Sequence, residues 1–521
     1  MLRAEAAQGK APHAIVRTSI DLDVQRAAAD AVLLAQRKWE AQGAGNAALV
    51  VLAHDTNEVR AWVGSAEYFD DRHAGSIDYT QVPRSPGSAL KPFLYALALE
   101  RGVITPATVV DDIERGPGGI GNADDAFLGP MVPRLALARS RNVPAVGVLE
   151  RVGLDESYSF LRDLGLHEGK EPARRYGLGL GIGGLPVTLE DLVRAYAVLA
   201  NDGRFQQLRR WEGQQIEEPR RLLSEGTARQ VTLFLSDPLA RLPEFDRLGA
   251  LEYPFPVAVK TGTSSRFRDA WAVAYSKRWI VGAWVGDPDF RPMNRLTGYR
   301  SAAALVQKVL VALHPAEADG LEDVPFPPPR GARLVRICPL TGMRATDACD
   351  GVLAEWFRPG DEPVDPCPAH VRVAVDTRSG RPATRKTPRP FVELRTFVDL
   401  PPRYASWAAT AGIPRPPEPE APTGLARLLA GAVVRLSIRS PEDGLRVLRD
   451  PETPKDQSTL ALRALVSPPV PQVVWYVDGA PFQVADYPYT VRWRLAPGDH
   501  VFQARLIDGR TASSAVRVLV Q

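Results

Sequence analysis

Residues 48–65 read ALVVLAHDTNEVRAWVGS, in which two apolar runs flank a polar turn. This pattern predicts a β-hairpin. Three more apolar runs follow much later, at Val257–Thr263, Ala270–Tyr275 and Trp279–Gly286, and they predict three further strands. The residues between the two groups, from about 88 to 203, have helical periodicity instead. We therefore predict an α+β fold, in which helices flank an antiparallel five-stranded sheet whose first and last strands lie far apart in sequence.

The composition indicates a folded protein with more than one domain. The 521 residues exceed what one ordinary core needs, and 45% apolar with 24% charged residues is the balance of a globular chain. A net charge of +3 does not indicate a nucleic-acid surface. The longest apolar runs, such as 47–53, are much shorter than the roughly 20 residues of a membrane-spanning helix. The first residues, MLRAEAAQGK, also lack the apolar core of a secretion signal.

Shifts in composition predict four segments: an N-terminal segment and helix at 1–44, the α+β domain at 45–323, a Pro-rich linker with the cysteines at 324–427 and a β-sandwich at 428–521. Asp21 is placed to cap the N-terminal helix. Thr188 and Asp191 resemble a capping box before the helical stretch LVRAYAVLA. The sandwich is predicted to be immunoglobulin-like, because short alternating strands are joined by Asp478-Gly479 and Asp508-Gly509 turns.

The strongest chemical signal is Ser88-Ala89-Leu90-Lys91, at the start of a helical stretch. Residues three apart share one helical face, so the amine of Lys91 can reach the hydroxyl of Ser88. A serine is a weak nucleophile until a base takes its proton, and the positive end of a helix favours the developing negative charge. On its own, the motif is equally consistent with the start of a surface helix.

Two later motifs favour the catalytic interpretation. Ser140-Arg141-Asn142 lies between two helical stretches, where it can present a hydroxyl and an amide on a loop. Lys260-Thr261-Gly262-Thr263 ends a predicted strand. There Gly262 lets a ligand approach the backbone, and Lys260 supplies a positive charge for a carboxylate. Coincidence is a poor explanation for three such motifs in this order.

With these motifs the chain resembles the penicillin-recognising serine enzymes, whose signatures are Ser-x-x-Lys, Ser-x-Asn and Lys-Thr-Gly. The stretches RSPGSALKPF, RNVPAV and KTGTSSRFRDAWAV are similar to the transpeptidase half of class A bifunctional penicillin-binding proteins of the 1C type. The later stretch VVWYVDGAPF is similar to the C-terminal sandwich domain of that type. The resemblance implies the penicillin-recognising serine transpeptidase fold.

The resemblance also implies a catalytic role for three residues. Ser88 would be the acylated nucleophile, Lys91 its general base, and Ser140 a proton relay toward the leaving amine. An ammonium group on the neighbouring Lys260 would lower the pKa of Lys91, because like charges at short range disfavour protonation.

The remaining motif residues are implied to bind the substrate. Asn142 would hold a substrate amide, and Lys260, Thr261 and Thr263 would hold the terminal carboxylate beside Gly262. Backbone N–H groups of Ser88 and Thr263 would form the oxyanion hole. Ser264 and Ser265 follow the motif without an assigned role.

The implied function is that of a D,D-transpeptidase that cross-links peptidoglycan stem peptides ending in D-Ala-D-Ala and is acylated by β-lactams, without a cofactor. A D,D-carboxypeptidase or a β-lactamase using Ser88 is one alternative, and an idle scaffold that binds a cell-wall partner through the sandwich is another. The sandwich disfavours a secreted β-lactamase, and the intact motifs disfavour a scaffold.

The implied location is the periplasmic face of the bacterial inner membrane, where the sandwich would dock the enzyme onto cell-wall synthesis proteins or the wall. Proteins of this type begin with a membrane anchor and a glycosyltransferase domain. Neither fits before Asp21, so we expect the chain to be a fragment or a split-gene product.

The three cysteines lie close together in sequence, at Cys338, Cys349 and Cys367. Together with His370 they could form a Cys₃His zinc site. The spacings are irregular, however, and an oxidising compartment favours a disulfide. We therefore predict a disulfide between Cys349 and Cys367 and no metal.

Two further patterns are predicted to be structural. Gly179-x-Gly181-x-x-Gly184 fits a dinucleotide fingerprint, but no βαβ unit surrounds it, so we predict a tight turn under the active-site helices. Six aromatic residues near the C-terminus could form a glycan platform. About two thirds of them are predicted to lie in the sandwich core instead, because most alternate with apolar neighbours. These are Trp475, Tyr476, Tyr487, Tyr489, Trp493 and Phe502.

Overall fold

The computed structural model describes residues 16–116, 119–314, 324–417, 434–448, 458–467, 469–470, 472–506 and 511–521. The chain divides into two compact units, Met1–Glu418 and Pro419–Gln521. Among the described residues, every helix is too short or too polar to cross a bilayer.

The helices of the described residues are α1 Leu22–Trp39, α2 Lys91–Glu100, α3 Pro133–Ala138, α4 Asn142–Val152, α5 Leu154–Asp163, α6 Leu189–Ala200, α7 Glu225–Leu235, α8 Ala302–Ala312 and α9 Ala405–Thr410. The strands of the first unit are β1 Asn46–Ala53, β2 Val59–Val63, β3 Val110–Asp112, β4 Gly129–Met131, β5 Arg204–Phe205, β6 Arg220–Arg221, β7 Ala258–Thr263, β8 Asp269–Tyr275, β9 Trp279–Gly286, β10 Arg333–Ile337, β11 Leu353–Phe357, β12 His370–Asp376 and β13 Val392–Val398. Those of the second unit are β14 Arg435–Ser440, β15 Leu445–Val447, β16 Thr459–Ser467, β17 Gln472–Val477, β18 Ala480–Asp486, β19 Thr490–Arg494, β20 Gly498–Leu506 and β21 Val516–Val520.

The central sheet of the first unit has the strand order β2-β1-β9-β8-β7, and every pair in it is antiparallel. This confirms the predicted five-stranded sheet. Helices cover both of its faces. Val50 and Leu52 of β1 belong to the core that includes α2, α6 and α7, whereas Leu49 and Val51 belong to the core that includes α1 and α8. Because successive side chains of a strand point to opposite faces, β1 is buried along its whole length.

Local signals explain where two of these helices begin. The Oδ1 of Asp21 accepts hydrogen bonds from the backbone N–H groups of Asp23 and Val24, as predicted for the cap of α1. The Oγ1 of Thr188 accepts from the N–H of Asp191 at 3.0 Å, which confirms the predicted cap of α6.

The segment predicted as a Pro-rich linker contains β10 to β13, which form two separate two-stranded sheets. One of them is anchored to the helical layer, because the carboxylate of Glu355 in β11 is buried and pairs with Arg134 of α3. Farther along, the Nε1 of Trp407 in α9 donates to the carbonyl of Phe127 at 3.0 Å. The part of the segment that the structure describes, residues 324–417, therefore packs against the sheet-and-helix body.

The predicted disulfide is not formed. Cys338, Cys349 and Cys367 all lie among the described residues, and all three are free thiols. The fold gives the reason for this correction, because it brings a third sulfur and the imidazole of His370 to the place where two sulfurs were expected to pair.

The second unit is a β-sandwich with the sheets β14-β16-β19 and β15-β21-β20-β17-β18, which share one apolar core. The predicted Asp478-Gly479 turn joins β17 to β18, with φ of 51° and 80°. The predicted Asp508-Gly509 turn lies outside the described residues. Four of the six aromatic residues are buried, as predicted: Trp475, Tyr489, Trp493 and Phe502.

Candidate active site

Ser88 lies in a 3₁₀ turn, Gly87–Leu90, that leads directly into α2. Two buried side chains hold the backbone of this turn and of the residues just before it. The Nε1 of Trp271 donates to the carbonyl of Ser85 at 2.9 Å, and the hydroxyl of Tyr196 donates to the carbonyl of Ala89 at 2.7 Å. The Ser88 side chain itself is partly exposed. The nucleophile predicted from the sequence is thus fixed in place and open to a substrate.

Glycines let three backbones meet at this turn. Gly87 has a φ of 54°, and a Cβ there would collide with the carbonyl oxygen of Thr263. A Cβ on Gly262 would collide with the carbonyl oxygen of Pro86, and one on Gly183 with that of Gly87. The Gly179–Gly184 stretch therefore packs closely against the turn of Ser88: Gly177–Ile182 form a 3₁₀ helix, and Gly183 follows it with a φ of 85°.

Lys91, in the first turn of α2, is fully buried. Its Nζ donates to the carbonyl oxygen of Ser140 at 2.5 Å and to the Oδ1 of Asn142 at 2.7 Å. The structure therefore brings the first and second predicted motifs together through a buried amine.

Ser140 also contacts the third motif. Its Oγ accepts a hydrogen bond from the Nζ of Lys260 at 2.7 Å. The φ of Ser140 is 60°, a left-handed conformation that is uncommon for a residue with a side chain. In this conformation the carbonyl oxygen contacts Lys91 while the hydroxyl contacts Lys260. Such local strain is typical of functional sites.

Both lysines have a lowered pKa. Burial lowers the pKa of Lys91 well below its ordinary value, and the positive charges of Lys260 and Arg141 lower it further. Asp112 and Glu244 act in the opposite direction. Burial also lowers the pKa of Lys260 to about 7, despite the nearby carboxylate of Glu244. The predicted effect of Lys260 on Lys91 is therefore present, but it is second to burial.

A polar network that the sequence did not reveal supports the second motif. Arg141 is buried, and its Nε donates to the Oδ2 of Asp112 at 2.8 Å. The Oδ1 of Asn122 accepts from the N–H of Asn142 at 2.8 Å and so fixes the start of α4. Asp112 and Asn122 also bond to each other at 2.6 Å. Both precede the motif by many residues and have no recognisable spacing to it, so only the fold identifies them.

The third motif forms the end of β7, which is an edge strand of the central sheet. The Oγ1 of Thr263 accepts from the N–H of Gly298 at 3.0 Å, which leaves its own proton free for a ligand. Thr261 is nearly buried beside it. The hydroxyl of Ser264 donates instead to the Oδ2 of Asp269 at 2.8 Å, so Ser264 has a structural role.

Comparison with known proteins gives three matches along the chain. Residues 47–310 match the model of the penicillin binding protein transpeptidase domain. Residues 328–372 match that of the penicillin-binding protein 1A C-terminal domain, and residues 430–518 that of the penicillin-binding protein C-terminus family.

Among similar proteins, penicillin-binding protein 1C of Escherichia coli K12 is 36% identical over 361 residues, which is 68% of this chain and 46% of that protein. Penicillin-binding protein 1A of Rickettsia typhi is 26% identical over 356 residues, 60% of this chain and 43% of that protein. The chain thus spans less than half the length of either relative. The crystal structure of penicillin-binding protein 1A from Haemophilus influenzae has a similar fold, with a TM-score of 0.52 at 23% identity, covering 62% of this chain and 54% of that one.

Proposed function

The chain belongs to the family of penicillin-binding protein transpeptidase domains, and from this premise we propose that it is a serine D,D-transpeptidase that cross-links peptidoglycan stem peptides. The observation that carries the proposal is the hydrogen-bonded series Lys91, Ser140 and Lys260 beside the turn of Ser88. It joins one residue from each of the three motifs.

In the acylation step, Ser88 attacks the carbonyl carbon of the penultimate D-Ala, and its proton passes to Lys91. A neutral amine has two N–H donors and one lone pair. Ser140 and Asn142 supply two acceptors to Nζ, at 2.5 and 2.7 Å, which matches the two donors and leaves the lone pair for the Ser88 proton. The lowered pKa of Lys91 favours this neutral form at physiological pH.

Departure of the terminal D-Ala requires a proton on its nitrogen. Ser140 is suited to deliver it, because its Oγ accepts from Lys260 and its own O–H is then free to donate. Lys260 can replace the proton that Ser140 gives up. With a pKa of about 7, Lys260 exchanges protons readily near neutral pH.

We propose that the end of β7 binds the substrate carboxylate. A charged Lys260 and the proton of the Thr263 hydroxyl favour an anion there, and Thr261 lies in the same strand. Close contact between Gly87 and Thr263 sets the backbone of the Ser88 turn beside the end of the strand. The N–H groups of Ser88 and Thr263 are therefore our candidates for the oxyanion hole.

An amine from a second stem peptide completes the transpeptidation by attacking the acyl-enzyme. Water in place of that amine would give carboxypeptidase activity from the same residues. β-Lactams would acylate Ser88 as substrate mimics. We assign the activity to the outer face of the bacterial inner membrane and the sandwich to docking on a cell-wall partner.

The test is covalent labelling of the full chain by a β-lactam, followed by peptide mass spectrometry. We expect one drug mass on the peptide that contains Ser88 and no adduct in Ser88→Ala. Ser159→Ala, a change at a partly exposed serine of α5, should label as the wild type does. An adduct on any other serine would contradict the proposal.

The fate of the acyl-enzyme separates the related activities. A transpeptidase should release the drug slowly, over many minutes, and should convert a D-Ala-D-Ala peptide to cross-linked product when an acceptor amine is added. Rapid turnover of the drug would indicate a β-lactamase. Release of D-Ala with no amine incorporation would indicate a carboxypeptidase.

A further inference from the structure

Four side chains of types that commonly ligate metals converge in the first unit, and none of them belongs to the three motifs. The sulfur atoms of Cys338, Cys349 and Cys367 and a ring nitrogen of His370 all lie within 4.8 Å of one another. Cys338 follows β10 directly, Cys349 lies in the loop before β11, and His370 is the first residue of β12. The fold thus gathers them from three separate stretches of chain.

Two nitrogen-to-sulfur separations among these atoms fit a tetrahedral metal ion. With Zn–S bonds of about 2.3 Å and Zn–N bonds of about 2.0–2.1 Å, sulfur and nitrogen ligands of one zinc ion lie roughly 3.6 Å apart. The Nδ1 of His370 lies 3.6 Å from the Sγ of Cys338 and 3.4 Å from that of Cys367. A single disulfide would use only two of the four converging atoms.

Two of the three sulfur atoms accept hydrogen bonds from nearby groups of the protein. The N–H of Thr346 points at the Sγ of Cys349 at 3.4 Å, and the hydroxyl of Thr341 points at that of Cys367, also at 3.4 Å. Such donors stabilise metal-bound thiolates and fix their orientation. Gly342, with a φ of 67°, closes a tight turn by donating from its N–H to the carbonyl of Cys338 at 2.8 Å.

Apart from the packing of β10 and β11 on the helical layer, the segment has only a small apolar cluster of its own. Its own apolar cluster contains only four buried residues among those described, and two of them are Cys338 and Cys367. The sheet β12-β13 has only two strands, most of whose side chains are exposed or half-buried, and two-stranded sheets on their own are marginally stable in water. A metal ion bound by Cys338 and His370 would join the end of one sheet to the start of the other.

We propose that Cys338, Cys349, Cys367 and His370 bind one Zn²⁺ ion that holds the two small sheets together. Three thiolates and one imidazole make a closed tetrahedral set, which is typical of structural zinc and leaves no position for a substrate. Zinc would thus stabilise this segment, whereas large apolar cores stabilise the central sheet.

The first test measures bound metal and free thiols in the full chain. The chain is exported to the periplasm during production, so that a disulfide can form there if the cysteines favour one. We expect about one zinc ion per chain by inductively coupled plasma mass spectrometry, and three reactive thiols after denaturation in the presence of a chelator. A peptide map that joins Cys349 to Cys367 without zinc would overturn the proposal. Free thiols without zinc would overturn it as well.

The second test uses one ligand variant and a matched control. Cys349 is the least buried of the three cysteines, so Cys349→Ser should fold while losing at least about tenfold in zinc affinity. His500→Asn, which removes a histidine from the second unit, should retain stoichiometric zinc. Unchanged affinity in Cys349→Ser would contradict the proposed ligand set.

Cobalt supplies a spectroscopic readout that does not depend on stability. Co²⁺-loaded wild type should show thiolate-to-cobalt charge transfer in the near ultraviolet and the visible bands of tetrahedral cobalt. Cys349→Ser should show a weaker charge-transfer band, and His500→Asn an unchanged one. Bands typical of octahedral cobalt in the wild type would overturn the tetrahedral site. Labelling of Ser88 by a β-lactam, measured on the same samples, reports the active site separately.

Discussion

The central sheet of the first unit is antiparallel, and so is the sandwich of the second unit apart from the parallel pair β15-β21, yet the strands of the two are buried differently. Every residue of β1 and of β8 is buried, whereas β19 alternates strictly between exposed and buried positions. Helices cover both faces of the central sheet, and the sandwich strands have one face in water. The same secondary structure thus creates two different environments.

This difference explains where charged side chains can be reactive. Lys91 and Lys260 are enclosed by the covered sheet and its helices, and burial lowers the pKa of each. In the sandwich, Arg463 and Arg492 lie on the exposed faces of β16 and β19, where water solvates them. Helices on both faces of a sheet can therefore bury a lysine and favour its neutral form. A sheet with one face in water leaves its charged side chains solvated.

Removal of the buried amine is the strongest test of the comparison. Lys91→Met keeps the length of the side chain and deletes the base, so β-lactam acylation should slow by about 10³-fold. Arg463→Met makes the same kind of change on the exposed face of the sandwich and should leave the rate unaltered. The acylation rate is measured with a fluorescent penicillin. A Lys91→Met rate within about tenfold of the wild type would show that another group is the base.

Two leucines compare the stability of the two environments. Leu52 in β1 is fully buried, and Leu465 in β16 is 56% exposed. Leu52→Ala should lower the free energy of unfolding of the first unit by about 2–5 kcal/mol, because it leaves a cavity. Leu465→Ala should change that of the second unit by less than about 0.5 kcal/mol. Denaturant unfolding, with the two transitions fitted separately, checks both values, and equal effects would contradict the comparison.

The lowered pKa of Lys260 predicts a pH dependence. Lys260 carries its charge below about pH 7 and loses it above, so acylation by a carboxylate-bearing β-lactam should fall as the pH rises through this value. Well above pH 7, the acylation rate should fall by about tenfold per pH unit. Lys260→Arg keeps the charge and should move the falling limb to higher pH. The measurement is the second-order rate constant of acylation as a function of pH. If Lys260→Arg showed the same fall of this rate at the same pH, the fall would have to come from the titration of another group.

Deletion of the sandwich should have the smallest effect. The core of the central sheet is made of residues of the first unit, and the sandwich core consists of residues from 436 to 520. A chain of residues 1–427 should therefore be acylated within about threefold of the full-length rate. Residues 428–521 should fold alone, as judged by cooperative unfolding. A loss of more than about tenfold in the first fragment would show that the sandwich supports the site.

The sequence alone predicted the strands of the central sheet well, because their apolar runs are long. The apolar runs that became β1, β8 and β9 are long and uninterrupted, so their strand assignments were confirmed. The short strands β3 and β4 were not predicted, because three residues carry no periodic signal. Residues 333–398 were interpreted as part of a linker, because the surrounding proline-rich sequence is typical of linkers. In the structure they form two small sheets.

For the candidate site, the motifs predicted which residues to consider but not how these residues contact one another. Local spacing suggested that Lys91 meets Ser88, and the structure adds that Lys91 bonds to Ser140 and Asn142. The supporting role of Asp112 depends on a contact between distant parts of the chain, which no spacing rule records. The cysteines show the same limit, because irregular spacing in sequence does not exclude convergence in space.

The close backbone contacts at the serine turn also affect how genetic data on this protein should be interpreted. Gly87, Gly183 and Gly262 take part in no chemical step, yet any side chain at these positions would collide with a neighbouring carbonyl oxygen. In a saturation library selected for penicillin labelling, substitutions there should therefore be depleted as strongly as those at Ser88. Sensitivity to substitution would then overstate the number of reacting groups, and only chemical rescue or kinetics would separate the contact residues from the catalytic ones.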